Sequence, residues 1–198
     1  EYTIAWYEHL RKKYGEGKER TTTINQFETI QAHAVAANNT KLYVDEKEGF
    51  IGWSLKKDES TFVCECSDID DVVAFRKDGK MQVSRIGEKV FMGKDIKYVN
   101  VRKKNDDRTV FNVIYTDGKS GKAFAKRFQI GGVTRDKEYP IASDHKDSRI
   151  VYISANPNGE SELVSIQLSQ GSSARIKQFD FDFATVSISG KTSKGITE

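Results

Sequence analysis

Four pairs of short apolar runs, each pair closed by a turn carrying glycine, recur along most of this chain and limit the folds open to it. Residues 41–44 face 50–55 across Asp45-Glu46-Lys47-Glu48-Gly49, and residues 72–75 face 81–86 across Lys77-Asp78-Gly79-Lys80. The third pair, 110–115 and 123–130, brackets Asp117-Gly118-Lys119-Ser120-Gly121, and the fourth, 150–155 and 163–168, brackets Asn156-Pro157-Asn158-Gly159. Asp-Gly and Asn-Gly between apolar runs signal β-hairpins, because glycine supplies the positive φ that tight turns require. Gly49, Gly79, Gly118 and Gly159 are 30, 39 and 41 residues apart. One hairpin in every 30–40 residues predicts propeller-type blades; a sandwich would show turns at an even 8–12-residue spacing.

Alternation within the runs agrees. Phe179, Phe181 and Phe183 alternate with Asp180 and Asp182, and Val164, Ile166 and Leu168 alternate with Ser165 and Gln167. Such period-two patterns describe strands with one buried face. No convincing helical stripe survives beyond residue 36. Before it, Ile4, Tyr7, Leu10 and Tyr14 recur at helical spacing, with Arg11, Lys12 and Lys13 in the last turn and Gly15 as a C-cap. The expected organisation is a helical linker over 1–22 and an all-β domain over 23–198. A helix with no cap at its start, and an end just after Lys194-Gly195, suggest a piece excised from a larger protein.

Composition narrows the class. With 37% hydrophobic residues the chain is too apolar for disorder, and no run approaches the roughly 18 apolar residues that span a bilayer. Two cysteines, Cys64 and Cys66, stand two apart on one strand face, where a disulfide would be strained and a structural zinc site lacks ligands. Reduced thiols in a cytoplasmic protein are expected.

The formal charge of +3 hides an asymmetry. Residues 28–71 carry 4 basic and 10 acidic side chains, a net of −6, whereas residues 76–137 carry 17 and 7, a net of +10. Cations at that density either meet phosphates or are outward strand residues balanced by the acidic segment, and charge alone leaves the two readings level. Lys126 shares parity with Phe124 and Phe128. Either a bulge resets the register there, or the face is open to a ligand, and the open face is the expectation.

Catalytic readings fail one by one. Asp68-Ile69-Asp70-Asp71 lacks the glycine turn of a calcium loop and reads as strand-initiating. Asp180 and Asp182 are the wet side of an edge strand. His9, His33 and His145 have no ligand or nucleophile spacing, and Gly118-Lys119-Ser120 lacks the rest of a P-loop, as does Gly190-Lys191-Thr192. No metal or cofactor is expected in this chain. Recognition remains, by phosphate contact without base readout, because aromatics such as Phe75, Phe91, Tyr98, Tyr115 and Phe128 read mainly as core.

Particular strings resemble a known family. Tyr14-Gly15-Glu16-Gly17-Lys18-Glu19-Arg20-Thr21-Thr22-Thr23-Ile24 is similar to the segment leaving the catalytic core of bacterial type IIA topoisomerase A subunits. That family usually has Tyr-Gly…Arg-Arg-Thr-Glu-Ile there, whereas this chain has Thr22 and Thr23. Asp68 to Lys80, with its Asp-Asp-apolar-apolar…Gly-Lys string, looks like a blade of the family's C-terminal domain, and Arg108 to Lys119 with Lys126-Arg127-Phe128 looks like the next. The resemblance is strongest to topoisomerase IV A subunits. Gly190-Lys191-Thr192-Ser193-Lys194-Gly195 lacks the arginine pair of the gyrase box, which argues against gyrase and against strong chiral wrapping.

The resemblance implies a β-pinwheel of about four to six hairpin blades whose basic rim binds and bends duplex DNA. It places the catalytic residues, Mg and ATP in other domains of the parent enzyme. It implies as partners duplex DNA, the catalytic core of its own polypeptide and the ATPase B subunit, with no membrane, in a cytoplasmic, nucleoid-associated enzyme. The candidate DNA contacts are Arg76, Lys80, Arg85, Lys103, Lys104, Arg108, Lys122, Lys126, Arg127 and Arg135. The competing reading is a propeller-like scaffold whose basic face meets an acidic protein.

Overall fold

The computed structural model describes residues 2–17, 39–103, 106–171 and 174–197. The chain divides into two units, residues 1–35 and 36–198, and the boundary expected at residue 22 lies outside the described residues. In the first unit a helix, α1, runs Tyr2–Tyr14. Gly15 closes it by donating its N–H to the Arg11 carbonyl at 2.9 Å, and Arg11, Lys12 and Lys13 sit where the helix dipole favours cations.

The second unit is all-β and pinwheel-like. Three hairpins form its frame: β1 (Thr40–Asp45) with β2 (Phe50–Gly52), β4 (Asp71–Arg76) with β5 (Lys80–Arg85), and β8 (Val110–Thr116) with β9 (Ala123–Gln129). These are the first three pairs anticipated from the turn glycines. Each hairpin gains a strand on its first member from the chain that follows: β3 (Thr61–Cys66), β7 (Ile96–Arg102) and β11 (Arg149–Asn156). Each gains a fourth strand from beyond the next hairpin. These are β6 (Val90–Phe91), β10 (Glu138–Pro140) and β14 (Ile188–Gly190), pairing with β2, β5 and β9. The result is three four-stranded sheets, each completed by chain that has already visited its neighbour, and a two-stranded ladder of β12 (Leu163–Gln167) and β13 (Gln178–Asp182).

The fourth anticipated hairpin does not form. Its first run becomes β11 on β8, and its second becomes β12 on β13. Gly159 does make the expected turn, at φ +69°, with its N–H on the Asn156 carbonyl. The chain beyond it is instead held by Arg127, whose guanidinium donates to the Gly159 and Glu160 carbonyls at 2.7 and 3.1 Å.

Burial follows the sheet order. Val72 and Ala74 of β4 join Leu42, Val44 and Ile51 between the first and second sheets, while Val73 and Phe75 point the other way, towards Phe111, Val113 and Phe128. Ile114 and Ala125 pack against Phe181, Phe183 and Val186 beneath the ladder. β4 and β8 are therefore buried on both faces, whereas β1 and the terminal ladder show simple alternation. Cys66 is buried in the first of these cores, where burial pushes its thiol up to about 11, and both cysteines are free.

The turn glycines hold neighbouring segments close. At Gly49, φ is +80° and a Cβ would lie 2.0 Å from the Gly93 carbonyl oxygen. Gly49→Ala should cost about 2 kcal/mol or more, combining backbone strain with displacement of that loop. A urea midpoint equal to that of the parent chain would contradict this.

Candidate nucleic-acid interface

The ten candidate cations separate into two groups. Arg76, Lys126 and Arg127 are internal, which corrects their expected place on a binding surface. Arg76 closes β4 and reaches between two edge strands. Its guanidinium pairs with Asp78 at 3.0 Å and with Glu138 of β10 at 2.6 Å, and donates to the Met92 carbonyl just after β6. Arg127 bonds the Asn112 side chain at 3.1 Å in addition to the 159–160 carbonyls.

Lys126 has no exposed surface at all. Neither proposed explanation for its parity holds: the β8–β9 register runs without a bulge, and the face is closed. Its ammonium donates to the carbonyls of Ile141, Lys191 and Ser193, the last two at 2.9 and 3.1 Å, and lies 5.0 Å from the Phe128 ring centre. Arg76 and Lys126 thus do the same job one sheet apart. Each ties the edge strand of its own sheet to the edge strand of the sheet before it.

Glu138 shows the electrostatic side of this tie. The hydrogen bond from Arg76, with a further one from Lys80 at 3.1 Å, holds its carboxyl below the ordinary carboxylate range despite partial burial. A depressed carboxylate stabilises the fold above its unfolded pKa of about 4.5, and that stabilisation is lost as pH falls through the folded value. Glu138→Gln should therefore flatten the thermal-stability profile below about pH 5. Parallel profiles for parent and variant would contradict the assignment.

Lys80, Arg85, Lys103, Arg108, Lys122 and Arg135 do reach solvent, and Lys104 lies outside the described residues. Several of these converge at the open end of the second sheet, opposite its turn glycine. Asp71 is in register with Arg85 on one side and Arg102 on the other, and Arg135 pairs with it at 2.8 Å. Arg102 also donates to the Gly131 carbonyl at 3.0 Å. From the far side Lys191, one residue past β14, donates to the carbonyls of Ile130 and Gly132 at 3.0 and 2.6 Å. Its ammonium lies 5.0 Å from the Tyr139 ring centre, and that of Lys137 lies 5.6 Å from it. Nothing lies within 4 Å of a Cβ built at Gly131 or Gly132, so this backbone is open to close approach.

Arg102, Arg135, Lys137 and Lys191 therefore gather at one uncovered glycine loop, with Arg85 in register beside the Asp71 that Arg135 holds. Arg85 and Arg135 were among the candidates, whereas Arg102, Lys137 and Lys191 were missed. The Gly131-Gly132 pair amid basic sequence was the available signal. Of the nearby carboxylates, Asp136 is exposed between Arg135 and Lys137 and Asp71 is held by Arg135, while two others serve the local backbone. Asp70 accepts the Ser67 N–H at 2.9 Å, and Asp106 accepts those of Arg108 and Thr109 at 3.0 and 3.1 Å, as suits strand-initiating residues.

Interlocked four-stranded sheets with a cationic end give the second unit an all-β, pinwheel-like architecture. The chain belongs to the topoisomerase C-terminal domain family of Bacteroidota, whose model matches residues 41–197. It is also 28% identical over 157 residues to the A subunit of DNA topoisomerase 4 from Borreliella burgdorferi, a match covering 79% of this chain and 24% of that protein. The chain thus spans about a quarter of the curated relative it matches. The resemblance read from the blade strings stands. No helix among the described residues is long and apolar enough to cross a membrane.

Proposed function

We propose that this domain binds the phosphate backbone of duplex DNA without reading its bases, and bends it, as part of a type IIA topoisomerase A subunit. The observation that supports this best is the gathering of Arg102, Arg135, Lys137 and Lys191 at the open Gly131–Gly132 backbone, with Arg85 alongside on the same sheet end. Guanidinium forks and ammonium groups match phosphate oxygens, and an uncovered glycine backbone lets a phosphate come close. Arg102 and Lys191 are preset by their carbonyl bonds, which lowers the entropy lost on binding. Lys103 and Arg108 extend the same cationic end, while Lys80 and Lys122 lie nearer the turn end of the hairpins.

In the parent enzyme the domain presents a transported DNA segment to the catalytic core of its own polypeptide, for relaxation or decatenation driven by the ATPase B subunit. Mg and ATP act through other domains in this reading, and the enzyme works in the cytoplasm on the nucleoid. Competition between two duplexes of equal length and unrelated sequence tests the binding mode. Affinities within about twofold are expected, since phosphate contacts carry no sequence information. A strong preference for one sequence, or equal displacement of DNA by an acidic polypeptide, would overturn it.

A further inference from the structure

We propose that β12 is a self-pairing edge, through which two copies of this chain join their two-stranded ladders into one four-stranded sheet. In the three other sheets a hairpin is flanked on both sides, whereas among the described residues β12 and β13 pair only with each other. Parity fixes which backbone groups are spare. Phe183 donates to the Glu162 carbonyl at 3.0 Å and Leu168 to that of Lys177 at 2.7 Å, so the even-numbered residues of β12 bond to β13. The N–H and C=O groups of Leu163, Ser165 and Gln167 therefore face the free side.

Those three positions are self-complementary. An antiparallel pairing centred on Ser165 sets Ser165 against Ser165 of the second copy and Leu163 against Gln167. Each such pair exchanges two N–H···O bonds. On the inner face it brings Val164 beside Ile166 of the other copy as a non-hydrogen-bonded pair, the closer kind, and both side chains already pack on the core beneath the ladder. No charge, proline or bulge guards this edge. The opposite edge is guarded: self-pairing of β13 would oppose Asp180 to Asp180, which like-charge repulsion disfavours. Five residues per chain make a small interface, so association should be reversible and concentration-dependent.

Sedimentation velocity on the full chain across a wide concentration range tests this. The parent chain should pass from monomer to dimer, and Ser165→Pro should stay monomeric. The Ser165 N–H serves only the free side, so that change leaves the ladder intact, which its circular dichroism will show. Ser165→Lys, which opposes two ammonium groups, is the second variant and should also abolish dimers. Asp180→Ser should not. Hydrogen exchange at Leu163, Ser165 and Gln167 should slow as concentration rises. A parent chain that stays monomeric throughout, or dimers that survive both Ser165 changes, would overturn the proposal.

Discussion

Lys126→Met should lower the thermal midpoint by roughly 6–12 °C, equivalent to about 3 kcal/mol in a domain of this size. Methionine preserves the aliphatic stem beside Phe128 but donates no hydrogen bond. The carbonyls of Ile141, Lys191 and Ser193 would then be left without this donor, each costing on the order of 1–3 kcal/mol when buried. Against this stands the cost of burying an ammonium that has no carboxylate beside it. Burial pushes Lys126 down to about 8 from its ordinary 10.5, a relief of about 3 kcal/mol when the charge is removed. Three orphaned acceptors outweigh one relieved charge.

The same balance gives a pH signature. A lysine depressed in the folded state is binding fewer protons there than in the unfolded chain between about pH 8 and 10.5. Its contribution to stability therefore rises with pH across that window. The methionine variant lacks that gain, so the gap between the two midpoints should widen from about pH 7 to about pH 10. A gap that narrows would mean that the ammonium, and not the donor geometry, is what the fold needs.

The double change Arg135→Gln, Lys137→Gln should weaken duplex DNA binding more than about tenfold at about 0.1 M salt. Both side chains stand at the glycine loop and reach solvent, and neither is part of a buried tie. Loss of two phosphate contacts should reduce the log–log salt slope by about 1.8, because each contact releases about 0.9 of a counterion. The thermal midpoint should fall by less than in Lys126→Met, since Arg135 is half-exposed, although its partner Asp71 is mostly buried and loses one cation. By contrast, Lys126→Met should act on stability first. Equal losses of binding and stability in both variants would mean that the two sets of cations are not distinct.

The sequence carried its local features well and its exchanged ones poorly. Asp45, Asp78 and Asp117 open turns whose backbone N–H groups they accept, and the glycines beside them make the three hairpins readable from a few consecutive residues. β6, β10 and β14 are two or three residues long, too short for a period to register, and their partners lie a whole hairpin away. Asn158-Gly159 looked like the other turns and does turn, yet Arg127 decides where the chain goes next.

The same limit applied to the site. Parity correctly placed the Lys126 ammonium on an apolar face, but backbone carbonyls arriving from residues 141, 191 and 193 leave no mark on the sequence. Arg102 and Lys191, 89 positions apart, share one loop only because β7 and β14 bring them there. Local charge density could point to the region but not to the cluster.

Fluorescence anisotropy of a short mixed-sequence duplex, titrated with this chain from about 50 to 200 mM salt, addresses the proposed DNA contact most directly. Five phosphate contacts predict a log–log slope near about −4.5 and a loss of affinity of roughly several hundredfold across that range. No binding at the lowest salt, or a slope near zero, would contradict it.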